Sequence, residues 1–217
     1  MIMEATTYTR GEEIANSLTH GMGLLLSVGG LAVLVTFAAL HGDAWTVTAC
    51  SIFGASLVLL YTSSTLYHAI QASRLKQALR VVDHVAIFLL IAGTYTPFML
   101  VNLRGPWGWS LFGVVWALAI AGTALKIFFT GRFRVLSTLV YLFMGWIIVV
   151  AIKPLVVALP REGLIMLFAG GLAYSLGTVF YLWKRLPYHH AVWHLFVLAG
   201  SICHFFAVFA SIAPRGA

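Results

Sequence analysis

The sequence predicts an all-α polytopic membrane protein, a bundle of seven transmembrane helices with the amino terminus cytoplasmic and the carboxyl terminus outside. Three observations carry this. Of 217 residues, 61% are hydrophobic and only 9% charged, whereas an ordinary soluble domain is about one quarter charged; mean hydropathy is +0.98. Apolar runs of the roughly 20 residues needed to cross a bilayer recur seven times between short polar breaks. Lys and Arg are also divided unevenly between alternate breaks. The composition excludes a disordered chain, and two cysteines exclude a disulfide-stapled secreted module. The length suits one domain, residues 1–217.

Taken in order, the first span lies near 16–40. Its leader carries Glu4, Glu12 and Glu13 against a single Arg10, and the run is too long for the core of a cleavable signal peptide, so it is read as a retained anchor. The break at 41–43 precedes a second span near 44–68, and the basic segment 74–80 precedes a third near 82–103. Within the third, Gly93, Thr94, Tyr95, Thr96 and Pro97 should loosen or kink the helix near mid-membrane, because Pro97 has no backbone donor. Breaks at 104–106 and 130–134 frame a fourth span near 107–129 and open a fifth near 135–152. The fifth has the weakest boundary: Lys153 and Pro154 interrupt a run that stays apolar to Leu159. Spans near 163–183 and 188–212 complete the set, separated by 184–187. Gly113, Ala117 and Ala121 recur every four residues, as do Ala169, Ala173 and Gly177, a spacing that lets helix backbones approach closely in lipid. An odd number of spans argues against a simple transporter of two inverted halves.

With the amino terminus inside, inner segments hold Arg10, Arg74, Lys76, Arg80, Lys126, Arg132, Arg134, Lys184 and Arg185; outer segments hold Arg104, Lys153, Arg161 and Arg215. Nine against four sets the orientation, and it is opposite to that of G-protein-coupled receptors. The formal charge of +7 is scattered over loops, which speaks against a nucleic-acid partner.

Ionisable groups inside a membrane span are costly and call for an explanation. With this topology Glu13, Asn16, His20, Ser64, His68, Asp83, His190 and His194 all fall at one depth, the inner-leaflet boundary, a shared polar site. His190 and His194 are four apart and share a helix face, as do Ser64 and His68; Glu13, Asn16 and His20 form a third face. Three histidines with an open fourth position describe a catalytic zinc site. His68, His190 and His194 are the candidate ligands. No glutamate follows His190, so a general base must come from another helix, and Asp83 is the carboxylate at the right depth. Glu13, Asn16 and His20 are placed behind the ligands, where such groups orient imidazoles, with His20 as a fourth ligand left open. His84 and His189 point elsewhere on their helices. His204 lies about 15 Å further along its helix than His194, too deep for the same ion. Cys50 and Cys203 are read as reduced or merely packed, with contact between them left open. Tyr61, Tyr67 and Tyr95 are read as cavity candidates.

At these residues the chain resembles the progestin and adipoQ receptor superfamily, in its bacterial hemolysin III branch. The resemblance runs through Glu13, Asn16, Thr19, His20 and Gly23, then Ser64 and His68, Asp83 and Ala86, the 93–97 segment, and His190 and His194 continuing to His204. It covers nearly the whole chain. It implies a seven-helix fold with the amino terminus inside, zinc on three histidines near the cytoplasmic face (here His68, His190 and His194), Asp83 near the metal water and Ser64 close by. It also implies residence in a bacterial plasma membrane and brings in related membrane ceramidases. The function expected is therefore zinc-dependent hydrolysis of a lipid amide or ester. Membrane lipids, with a sphingolipid-like or fatty-acyl substrate, are the expected partners. The alternative is a non-enzymatic cytolysin, pore or regulator of membrane energetics with a structural or switching metal site. A transporter is the weakest reading, because the outer halves of the spans offer few polar groups.

Overall fold

The computed structural model describes residues 8–130 and 132–213, and among these the regular structure is entirely helical. Seven helices are long and apolar enough to cross a membrane: α1 (Arg10–His41), α2 (Ala44–Ala69), α3 (Ser73–Asn102), α4 (Pro106–Phe129), α5 (Arg134–Ala158), α6 (Arg161–Leu182) and α7 (His189–Ile212). Their outer surface is apolar: Leu25, Phe128 and Val157 are more than three-quarters exposed. On α1 the pattern is inverted relative to a soluble helix. Glu13, Asn16, His20 and Ser27 are buried while Leu18 and Leu25 face outward. Such a surface is stable only against hydrocarbon, and the chain is an integral membrane protein.

Several boundaries differ from the expected ones. Thr9 caps α1: its hydroxyl accepts the Glu12 N–H while the Glu12 carboxylate accepts the Thr9 N–H, a reciprocal pair that starts the helix at Arg10 and places Glu13 inside it. The basic segment 74–80, read as a break, forms the first two turns of α3. Arg, Lys, Gln, Leu and Ala are good helix formers, and hydropathy does not register a polar turn that remains helical. The boundary at Lys153 and Pro154 is also not a break, since α5 runs on to Ala158.

Two of the helices change hydrogen-bond register. In α3 the ladder becomes a π-turn over Phe98–Asn102, directly after Pro97, which cannot donate to the carbonyl of Gly93. In α5 a 3₁₀ stretch occupies Ile147–Ala151. The Tyr95 hydroxyl is inserted there: it accepts the Ile148 N–H at 2.9 Å and is shared as a donor between the carbonyls of Met144 (2.8 Å) and Gly145 (2.9 Å). A side chain in the ladder substitutes for bonds the helix would have made itself.

Helix α1 packs along α2, α2 along α3 and α6 along α7, while α5 meets α3 and α6 only sparsely. Glycines permit the closest approaches. A Cβ on Gly23 would lie 2.4 Å from the Tyr61 ring, and one on Gly93 would lie 2.3 Å from Ser56 Oγ. The small-residue rows divide: Gly177 packs under Trp193 and Phe196, but Gly113, Ala117 and Ala121 face outward, the buried side of α4 being Leu111, Val115, Ala119 and Gly122. Spacing alone does not tell which side of a helix meets a neighbour.

Candidate metal centre

The polar stripe of α1 is laid against the end of α2 and the start of α7, so residues far apart in the chain meet at one end of the bundle. His68, His190 and His194 are all buried, and one ring nitrogen from each lies within 4.8 Å of the others. This group can hold a metal ion.

The remaining nitrogens decide which atoms face it. His68 Nδ1 donates to Glu13 Oε2 at 2.6 Å, and the amide of Asn16 lies 3.4 Å from the same nitrogen. His68 Nε2 is buried with no hydrogen-bond partner. His194 Nδ1 donates to the Asn16 carbonyl at 3.1 Å and lies 3.2 Å from Thr19 Oγ1, which itself donates back to the carbonyls of Ala15 and Asn16. The His68 and His194 rings are thus held through Nδ1, the arrangement in which a carboxylate or carbonyl fixes the tautomer of a metal-binding imidazole, whereas His190 Nδ1 is buried without a hydrogen-bond partner. An imidazole nitrogen that is buried and unpartnered is expensive unless something occupies it. A divalent ion that favours imidazole fits this donor set.

Glu13 is itself held. Lys76 Nζ lies 2.9 Å from Glu13 Oε1, and the same ammonium donates to the carbonyls of Tyr67 (2.8 Å) and Ile70 (3.3 Å) at the end of α2. The chain of contacts therefore runs from α3 through α1 to His68 on α2.

His20 is not one of the three converging rings. It stacks on His194 with centroids 3.4 Å apart, meets Tyr61 edge-on at 5.0 Å, and has no hydrogen-bond partner on either nitrogen. Ser64 Oγ is buried and unpartnered. Asp83 is half-buried, 4.0 Å from His84 Nδ1, and outside the group of atoms that converge. A shared cavity links it to His190 and His194. That cavity, about 180 Å³, is lined by His20, Ser64, Asp83, His190 and His194 at one end and extends past Tyr95 to Trp146 and Phe168.

Three further histidines lie against backbone carbonyls. His84 lies 2.7 Å from Arg80 O, His189 lies 3.2 Å from Phe180 O, and His204 lies 3.1 Å from Leu167 O. His84 and His204 nevertheless reach the cavity wall. Of the three tyrosines read as cavity candidates, Tyr67 and Tyr95 line it, whereas Tyr61 is buried in the core with its hydroxyl on Ser201 at 2.8 Å. Cys50 and Cys203 are both free thiols.

Sequence reasoning assigned no role to Tyr8, Thr19 or Lys76. The Tyr8 ring, just ahead of α1, lies 5.1 Å from the His190 ring and 5.8 Å from the His68 ring. Burial pushes its phenol well above the usual tyrosine range, so it remains an O–H donor. Thr19 carries a signal, lying one helical turn from both Asn16 and Gly23; Lys76 carries none, being one cation in a basic stretch.

A family model described as "Haemolysin-III related" matches residues 8–205. The chain is 53% identical over 201 residues to "Hemolysin-3 homolog" of Bacillus subtilis (strain 168), covering 93% of this chain and 94% of that protein. It is 51% identical over 203 residues to "Hemolysin-3" of Bacillus cereus, covering 94% and 93%. It is also 30% identical over 208 residues to human "Monocyte to macrophage differentiation factor", covering 91% and 83%.

Proposed function

The chain belongs to the haemolysin-III-related family, and we propose that it is an integral-membrane hydrolase of a lipid amide or ester, dependent on zinc held by His68, His190 and His194. The observation that carries the reading is the convergence of three buried imidazoles, one with an orphaned Nε2, at the edge of an apolar cavity inside a membrane protein. A structural zinc site usually has four protein ligands and a catalytic one has three with an open position; among the described residues three converge. The excess of Lys and Arg on one side supports placing this end of the bundle at the cytoplasmic face, in a bacterial plasma membrane.

When bound, zinc supplies Lewis acidity toward a carbonyl and a water of near-neutral pKa. The chain's own residues do the rest. Glu13, held by Lys76, and the Asn16 carbonyl keep His68 and His194 in the ligating tautomer. Asp83 accepts a proton from the attacking water at its carboxylate and returns it to the leaving amine or alcohol. The Ser64 hydroxyl, free of other partners, donates to the substrate carbonyl oxygen. The apolar wall takes the acyl chain and excludes bulk water.

The test is metal content by mass spectrometry on detergent-purified wild type and on a His190→Ala, His194→Ala double variant, followed by turnover of an N-acyl sphingoid base. About one zinc per chain, lost in the double variant, is expected. Asp83→Asn should keep the metal and abolish turnover. Well-folded wild type without metal would sink the hydrolase reading.

A second reading draws on the printed names of the Bacillus relatives: a cytolysin or regulator of membrane energetics in which the same cluster holds a structural or switching ion. Under it, dye release from liposomes persists in Asp83→Asn.

A further inference from the structure

The cavity has a second chemical feature beside the histidines. Arg80, Lys126, Arg132 and Arg134 all line it, against one carboxylate, Asp83. Lys126 is only 5% exposed, although it sits on a membrane-spanning helix. Among the described residues the ion pairs at 4.0 Å or less are His68 and Lys76 with Glu13, His84 with Asp83, and Arg104 with Asp43. Among the described residues none of the four cavity cations has a carboxylate within 4.0 Å. Arg80 and Lys126 face the same cavity from α3 and α4. Arg134 donates through Nη2 to the Tyr181 carbonyl and lies 4.2 Å above the Tyr181 ring, yet its Nε is buried without a partner.

Lys126 is buried, Arg80 and Arg134 are half-buried and Arg132 is exposed, and a buried cation with no counter-ion is unfavourable unless an anion joins it. Here the cations sit at one end of a space more than ten times that needed for a single water. The rest of its wall is mostly apolar, with Ile91, Phe98, Leu142, Phe168 and Val197 among its residues. A small free anion would satisfy the cations but leave that wall uncovered. A neutral amphiphile would cover the wall but leave the cations unpaired.

We propose that this cavity binds a single-chain lipid whose head carries a phosphate or carboxylate, the anion lying against Lys126, Arg80 and Arg134 and the chain running along the apolar wall. As a substrate class, an amide- or ester-linked lipid with an anionic head, it rests on the hydrolase reading. As a binding site it does not.

The experiment is equilibrium binding to the full-length, chelator-treated protein in neutral detergent, where nothing turns over. The probes are oleoyl lysophosphatidic acid, N-oleoylglycine, mono-oleoylglycerol and inorganic phosphate. The two anionic lipids should bind about ten- to a hundredfold more tightly than mono-oleoylglycerol, the ratio that one or two hydrogen bonds to charged groups supply. An Arg80→Gln, Lys126→Gln double variant should bind all three lipids equally, and its retained affinity for mono-oleoylglycerol reports an intact cavity. Lys126→Arg should keep the preference. Equal affinity for charged and neutral lipids in wild type would overturn the proposal, as would a preference that survives in the double variant. Inorganic phosphate binding as tightly as the lysolipid would show a free-anion site and overturn it too. Anionic preference without hydrolysis in the metal-loaded protein would refute the hydrolase reading alone; hydrolysis of neutral amides without the preference would refute this one alone.

Discussion

Glu13→Gln isolates the support behind one ligand. The substitution keeps shape and an acceptor oxygen but removes the charge that His68 Nδ1 meets at 2.6 Å, a length typical of a charge-assisted hydrogen bond. The side chains are 0% and 9% exposed, so solvent screens the interaction little. Loss of such a partner behind a metal ligand lowers affinity about 10- to 100-fold, or about 1.4–2.7 kcal/mol. The burial places the expectation in the upper half of that range. Lys76 should not bring the helices apart when its carboxylate is neutralised, because it retains the carbonyls of Tyr67 and Ile70. The assay is chelator competition read as metal per chain by mass spectrometry at constant pH, with thermal unfolding of the metal-free protein as the control. Lys76→Gln should weaken metal binding less, since its ammonium is 22% exposed and one contact further away. Unchanged affinity in Glu13→Gln would refute the claim that Glu13 fixes the ligating tautomer. A loss equal in both variants would show that the ion pair as a unit is what matters.

Other expectations follow from single contacts. Tyr95→Phe strands the Ile148 N–H in the 3₁₀ segment; a cost of about 1–3 kcal/mol should appear in thermal unfolding, with faster amide exchange at Ile148, and unchanged exchange would remove Tyr95 as the cause of the register change. Gly23→Ala brings a Cβ to 2.4 Å from a Tyr61 ring pinned by Ser201, so a loss of about 1–3 kcal/mol from overpacking between α1 and α2 is expected in the same measurement. The Thr46 N–H and then its hydroxyl, with Arg104 adding, hold the Asp43 carboxyl below its usual range. A group lowered in the folded state stabilises it above its unfolded pKa of about 3.9, and that contribution is lost as pH falls through the lowered value. A carboxyl NMR titration of Asp43 should therefore have its midpoint below the usual aspartate value and move back up in Thr46→Val.

Seven apolar runs, each about as long as a bilayer is thick, were legible because hydropathy is summed over a window and needs no partner. The same summation missed the ends. The basic opening turns of α3 look like a loop to hydropathy although they are helical, and the Thr9–Glu12 pair that starts α1 lies before the apolar run begins. Two of the three converging histidines were visible as a pair four residues apart on α7, since helical periodicity is a local property. Joining them to His68 required depth, which the alternation of spans supplies.

Direction within the bundle was not legible. Gly113, Ala117 and Ala121 have the spacing of a packing row and face outward, while Tyr61 and Tyr95, alike in one dimension, end up in the core and in the ladder of another helix. The sequence by itself determined that the chain lives in a membrane, where its helices lie, and which residues share a depth, because these depend on composition and on local period. Only the tertiary structure decided that it is His68 that Glu13 meets, with Lys76 behind it, that His20 stacks on His194, and that Arg80 and Lys126 turn into the cavity with no carboxylate within 4.0 Å among the described residues. Those facts depend on the rotation of each helix about its axis, which is set by packing between segments far apart in the chain.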